Sequence, residues 1–167
     1  VSLGLIGKNK LKVKLLKQII ADYSASSYYD NSLYDLARHY KNNQQNDLAI
    51  KYYDDLLIAT KDENLIADAC LSKGMIYFNS TKTNEAIDEF LFVVNNYQQT
   101  IYLKEAISGL QAAYSSLAQI DKYLAVIEGL PSVSISRAEQ DSLTYNAAFM
   151  KFSELEYKVA KKAFDKY

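Results

Sequence analysis

An all-α chain built of stacked helical hairpins is what three observations in this sequence predict. One proline and five glycines among 167 residues leave long stretches without a helix breaker. Apolar residues recur at helical spacing on either side of short polar turns, most clearly from Gly74 to Phe90. There Gly74 and Tyr77 stand three apart, and Ala86 and Phe90 four apart, so each pair shares one face of its helix. Between them Asn79-Ser80-Thr81-Lys82-Thr83-Asn84 supplies turn and N-cap residues. The hairpin also recurs, which is the mark of a stacked array. Ala49, Ala86, Tyr123 and Ala160 are spaced by 37 residues, and Tyr53, Phe90, Ile127 and Phe164 follow each by four. Tyr40, Tyr77 and Tyr114 precede the first three by nine, with Lys151 at the fourth place.

Taken in order, Val1 to Gly7 reads as the tail of a preceding helix with Gly7 in a turn. Asn9 to Tyr23 reads as a helix on Leu11, Leu15, Leu16, Ile19 and Ile20. Ser26 or Ser27 is the expected cap of a helix running to about Lys41, with Leu33, Leu36, Ala37 and Tyr40 inward. Its partner runs from Asp47 to Thr60 and is expected to bury Leu48, Ala49, Tyr52 or Tyr53, and Leu56. Asn64 and Asn84 are the expected caps of the next two helices, the second with Ala86, Ile87, Phe90, Val93 and Val94 inward. Ile101–Leu117 and Asp121–Leu130 form the third pair, closed by Pro131, and Ser132 to Ser136 form a turn or linker. The last pair spans about Arg137–Ser153 and Glu156–Tyr167. The expected organisation is one domain: a leading half repeat (1–25) and four hairpins (26–62, 63–99, 100–134, 135–167). The chain opens on Val1, within a pattern, and reads as part of a longer protein.

The residues LYDLARHY…LAIKYYDDLL and KGMIYF…EAIDEFLFV resemble the tetratricopeptide repeat. Its hairpin carries a small residue and a Tyr in the first helix, then Ala and Phe in the second, with a unit of about 34 residues. GLQAAYSSL…YLAVIEGL departs from the pattern with Tyr123 for Ala, and AAFMKFSELEYKVAKKAF with Lys151 for Tyr. The longer unit, and the segment IIADYSASSYYDNSLYDLARHY, look like repeats of bacterial envelope proteins, such as outer-membrane assembly and Tol-Pal-associated proteins. Those often show Tyr-Pro-x-Ser, where Ser24 and Gln98 stand here for the Pro. The resemblance implies a right-handed α-α superhelix with a concave groove. It also implies a non-catalytic scaffold that binds a peptide or partner helix, and a periplasmic or cell-envelope location, with the cytoplasm as the alternative. A spacer or oligomerisation segment and a small-ligand sensor domain are the rival functions.

In such arrays the groove is lined by first-helix residues turned away from the second helix. By register these are Asn31, Tyr34, Arg38 and Lys41; Asp68, Leu71, Met75 and Phe78; Glu105, Ser108, Ala112 and Ser115; and Ser142, Tyr145, Phe149 and Phe152. Tyr34, Arg38, Lys41, Leu71, Met75, Phe78, Ala112, Tyr145 and Phe149 are the expected partner-binding residues, with rings and Met as apolar anchors. The alternative for Phe78, Phe149 and Phe152 is packing between repeats. Some family members grip a C-terminal carboxylate with a clamp of Lys, Asn and Arg on two adjacent first helices, at whose places Tyr34, Arg38, Asp68 and Ser72 stand here. Asp68 would repel one, so no such clamp is expected.

Composition narrows the rest. A net charge of −1 and a pI near 5.9 give no global pull toward nucleic acid or an anionic membrane. Fifteen Tyr and no Trp suit half-buried ridges. Cys70 is the single cysteine, so no intrachain disulfide forms, and its apolar neighbours mark it as a core residue. Lys8, Lys10, Lys12, Lys14 and Lys17 read as a solvated helix face or, less simply, as an anion contact. His39 has no partners at ligand spacing, the acidic pairs Asp54-Asp55 and Asp62-Glu63 do not form a dyad, and no phosphate loop, dinucleotide fingerprint or nucleophile elbow is present. No enzyme, metal or cofactor is expected. No run approaches the ~20 apolar residues of a membrane span, and nothing indicates an oligomeric state.

Overall fold

The computed structural model describes residues 2–131 and 133–165, with side chains from Asn9 onward. Val1, the expected turn residue Ser132 and the expected end of the last helix at Tyr167 lie outside the described residues, as does the side chain of Lys8. Among the described residues the chain is all α, without strands. Its helices are α1 (Ser2–Asp22), α2 (Tyr29–Asn42), α3 (Asn46–Ala59), α4 (Glu63–Asn79), α5 (Thr83–Asn96), α6 (Leu103–Ser116), α7 (Ile120–Glu128), α8 (Arg137–Ser153) and α9 (Tyr157–Phe164). The pairs α2–α3, α4–α5, α6–α7 and α8–α9 pack as hairpins. The first helices α2, α4, α6 and α8 also touch in sequence. This layered stack is consistent with an α-solenoid.

The 37-residue period has a local cause in the turn inside each hairpin. Gln44, Thr81, Ala118 and Leu155 hold left-handed backbone, at φ of 58°, 60°, 52° and 64°. The residue after each donates its N–H to the carbonyl of Tyr40, Tyr77, Tyr114 or Lys151, at 2.9, 2.9, 2.9 and 3.0 Å. That bond pattern is the Schellman stop, which satisfies carbonyls left open at a helix end. Four copies of one three-residue turn therefore join the pairs, although none uses the glycine that left-handed backbone favours. The connections between hairpins vary more. Tyr23–Tyr28 and Tyr97–Tyr102 share one hydrogen-bonded form, in which Ser26 and Thr100 donate N–H to Tyr23 and Tyr97.

Several local expectations need correction. α1 is continuous from Ser2, so Gly7 lies within the helix and not in a turn. α2 has no side-chain cap; Ser26 instead accepts a hydrogen bond from the Tyr28 N–H, inside the connecting turn. The α4 cap is Asp62 and not Asn64, because the Asp62 carboxylate reaches the N–H groups of Asn64 and Leu65. α5 starts without a side-chain cap, so Asn84 does not cap it. Leu48 is exposed, since the inward stripe of α3 runs through Ala49, Tyr53 and Leu56. α8 begins as expected and carries a reciprocal cap between Ser136 and Glu139.

The core divides into two clusters that meet at α4. One joins Leu33, Leu36, Ala37, Tyr40, Ala49, Tyr53 and Leu56 to Ala69 and Ile76. The other gathers Ala67, Cys70, Ala86, Phe90, Val93, Val94, Ala106, Leu110, Tyr114, Tyr123 and Ile127. α4 is thus buried on nearly every side, which explains why its sequence lacks a polar stripe. Phe90 lies at the tightest point. A methyl carbon on Gly74 would stand 2.5 Å from the Phe90 ring, and one on Gly109 would stand 2.7 Å from it. These glycines serve close approach of α4 and α6 to one ring, not backbone freedom.

Candidate functional site

All nine residues expected to bind a partner lie on α2, α4, α6 and α8. Helical spacing and the common hairpin turn bring them into shared registers, so that Arg38, Met75, Ala112 and Phe149 recur at 37-residue intervals. The surface of these helices is not uniform and falls into three parts.

Between α4 and α6 lies an open cleft of about 510 Å³. Leu71, Met75 and Phe78 form one wall, Glu105, Ser108, Gly109 and Ala112 the other, and the Phe90 ring lies at its base. Met75 is 48% exposed although it sits in the helix with the most buried residues. The cleft exists because Gly109 and Ala112 leave no side-chain bulk opposite Met75. Phe78 packs partly against the core and also lines the cleft.

Between α2 and α4 the face is polar. The Tyr34 hydroxyl donates to the Asp68 carboxylate. Ser72 donates to the other Asp68 oxygen at 3.3 Å, and Lys41 Nζ donates to the Ser72 hydroxyl at 3.0 Å. The Arg38 guanidinium lies over the Tyr34 ring, 5.4 Å from its centre, and makes no ion pair among the described residues. Burial, and then the bond to Asp68, hold the Tyr34 phenol well above its ordinary range. Burial pushes the Lys41 ammonium down, with Arg38 adding to the effect and Asp68 opposing it. Beneath this network the enclosed Tyr53 hydroxyl faces Ser72 without forming a well-aligned hydrogen bond.

On α8 the exposed rings cluster among themselves. Tyr145 and Phe149 stack at 6.2 Å, and Tyr145 meets Phe164 edge-on at 5.8 Å. Phe152 meets Tyr157 edge-on at 5.5 Å. These residues stand outside the α4–α6 cleft.

Sequence reasoning passed over one feature altogether. Lys73 is only 8% exposed, and its ammonium bridges Asp54 of α3 at 2.7 Å and Glu89 of α5 at 2.6 Å. Burial alone would lower its pKa, but the hydrogen bonds and charges of Asp54 and Glu89 outweigh it and raise the value. A signal was present, because Lys73 occupies the 37-residue register of Leu36, Leu110 and Ala147, all of them buried. Next to it, burial pushes the Cys70 thiol up to about 12, so the thiol is an inert core group. The basic run of α1 is partly engaged by α2: Lys12 pairs with Asp35 at 2.8 Å, and Lys17 lies 5.7 Å from the centre of the Tyr40 ring. His39 rests edge-on against Tyr40 at 5.4 Å. Among the described residues no group of His, Cys, Asp and Glu is placed to hold a metal ion, and no helix is long and apolar enough to cross a membrane.

The sequence matches no protein-family model and no curated protein.

Proposed function

We propose that this chain is a right-handed solenoid of tetratricopeptide-type repeats that binds a peptide or a partner's helix on the face of its first helices, without chemistry of its own. The observation that carries this reading is the α4–α6 cleft. Its apolar wall is open to solvent at Met75, with Phe78 half-buried and Leu71 buried, beside polar groups that are already ordered by one another. A partner side chain entering there would bury apolar surface at about 25 cal/mol per Å² without disturbing the core below. Polar groups held in place beforehand lower the ordering cost of binding. The resemblance to envelope-protein repeats supports a role in the cell envelope, where such a scaffold would hold assembly partners together.

The test is a pull-down from the source cell with three baits: the wild type, Ala112→Trp and Ile58→Asp. Ala112 lines the cleft, whereas Ile58 of α3 lies outside it and is 86% exposed. A partner held by the wild type and by Ile58→Asp but lost with Ala112→Trp is the expected result, given unchanged thermal melts. A partner held equally by all three baits would remove the groove from the function and leave a spacer role.

A further inference from the structure

We infer that this chain pairs with a second copy of itself, about a two-fold axis, through the aromatic face of its last hairpin, α8–α9. This stands apart from the groove reading and assigns the rings of α8 to a different surface.

The face is an exposed apolar patch held in one hairpin. Tyr145, Phe149, Phe152 and Tyr157 are between 44% and 55% exposed, and Leu155, in the turn between the two helices, is 69% exposed. By contrast, among the described residues the α2–α3 hairpin exposes only Leu48 and Ile58 of its large apolar side chains, and α4–α5 only Met75 and Phe92. The rings are contiguous. Phe149 and Phe152 stand three apart on α8 and so share one side of it. Tyr145 stacks on Phe149, and Phe152 meets Tyr157 edge-on.

The register explains the exposure. Tyr145, Phe149 and Phe152 repeat Leu71, Met75 and Phe78 two units on. On α4 that stripe is the cleft wall opposite α6, whereas α8 packs only on α6, α7 and α9, and no described helix stands opposite its stripe.

Area and charge select a second copy. An aromatic side chain presents about 200 Å², so four half-exposed rings and Leu155 leave about 500 Å² open, a size that marks binding surfaces. Two such faces together remove about 1,000 Å² from water, which reaches the lower bound of a specific interface before any polar rim is counted. Five basic and five acidic residues balance between Arg137 and Asp165. A two-fold axis sets like against like, and a balanced face meets no net repulsion there. The opposite end of the stack fails this condition. α1 exposes Leu11 and Leu15, but Lys10, Lys12, Lys14 and Lys17 stand among them with no acidic residue before Asp22. A second copy would be repelled at that end, and the balanced α8–α9 face gives it no opposite charge for head-to-tail growth.

The experiment is sedimentation velocity on this chain across the micromolar range, beside Phe149→Glu, Phe152→Gln and Leu15→Glu, with circular dichroism to check that each variant keeps its helix content. The expected result for the wild type is a monomer–dimer equilibrium with a Kd of about 1–100 μM, as suits an interface near the lower size bound. Phe149→Glu should raise that Kd about tenfold or more. Phe152→Gln, which removes a ring without adding charge, should raise it in the same direction, and Leu15→Glu should leave it unchanged. A monomer at every concentration would overturn the inference and leave the face to another partner. A Kd unchanged by both ring variants, or a dimer lost with Leu15→Glu, would overturn it by moving the contact elsewhere. Species that keep growing beyond the dimer would overturn the two-fold pairing in favour of head-to-tail assembly.

Discussion

The α4–α5 hairpin and the α8–α9 hairpin obey the same period and use the same turn, yet they are held by different physics. In the first, the Phe90 ring is clamped between Gly74 and Gly109, and the buried Lys73 ties α4 to α3 and α5. In the second, the buried apolar residues are the small Ala147, Ala148, Ala160 and Ala163, and the rings that meet across the pair, Tyr145 on Phe164 and Phe152 on Tyr157, stay partly exposed. Phe164, the counterpart of Phe90, is only half buried, and α9 packs against α8 alone among the described helices. Lys151 is buried like Lys73, but its partners Glu154 at 2.7 Å and Glu156 at 3.1 Å lie in its own turn and are half exposed. Repetition in sequence therefore sets hairpin geometry, whereas neighbours on both sides set how much each hairpin contributes to stability.

That contrast can be tested by perturbing the two hairpins in parallel. The largest expected effect acts on the body of the stack through pH. Tyr34, Tyr52, Tyr53, Tyr77, Tyr97, Tyr102, Tyr114 and Tyr123 are all held above their ordinary value of 10.0, with burial the leading cause in each. Cys70 is held above 9.0 in the same way. The unfolded chain releases these protons first as pH rises. The stabilisation is therefore complete below about pH 9 and is lost as pH climbs through 10 and above. Melts followed by circular dichroism between pH 8 and pH 11 should fall by several degrees, about 5 °C or more, with the buried Tyr53, Tyr114 and Tyr123 contributing most; a flat profile would contradict the buried environments of those three.

Next in size is Phe90→Ala, which should cost about 4 kcal/mol in urea unfolding. Phe164→Ala, at a half-buried ring, should cost about 1–2 kcal/mol. Equal costs would mean that the terminal hairpin is packed as tightly as the central one. Lys73→Met should destabilise by about 3 kcal/mol, because Glu89 is left charged and largely buried. Lys151→Met should change stability by less than about 1 kcal/mol, since its carboxylate partners reach water. The smallest effect is a gain. Ala118→Gly and Leu155→Gly should each raise stability by about 0.5–1 kcal/mol through relief of left-handed backbone. Similar gains at both would confirm that one turn serves the whole chain, while a gain at only one would break that equivalence.

Much of this was legible because it is local. The helices, the polar turns and the buried registers follow from spacing of three, four and 37 residues, which a reader of the sequence can count. The expected groove positions Leu71, Met75, Phe78, Glu105, Ser108 and Ala112 do surround one cleft, since a shared register puts them on adjoining helices. The caps were less legible. Asp62, Asn64 and Ser26 are all good capping types, and only the backbone path decides which of them reaches an open N–H. Lys73 stands in the register of Leu36 and Leu110, which are fully buried, and a lysine there is buried only because Asp54 and Glu89 from neighbouring helices meet its charge.

What the sequence determined by itself is the hairpin and its repeat: helical periodicity and turn chemistry act over a few residues, and each 37-residue unit carries its own copy of both. What only the tertiary structure decided is where charges and rings meet. The Lys73 bridge, the engagement of Asp68 by Tyr34, and the clamp on Phe90 all depend on how closely neighbouring helices approach, within a hairpin and between hairpins. That approach is set by side-chain volume at the contact, and no spacing along the chain encodes it.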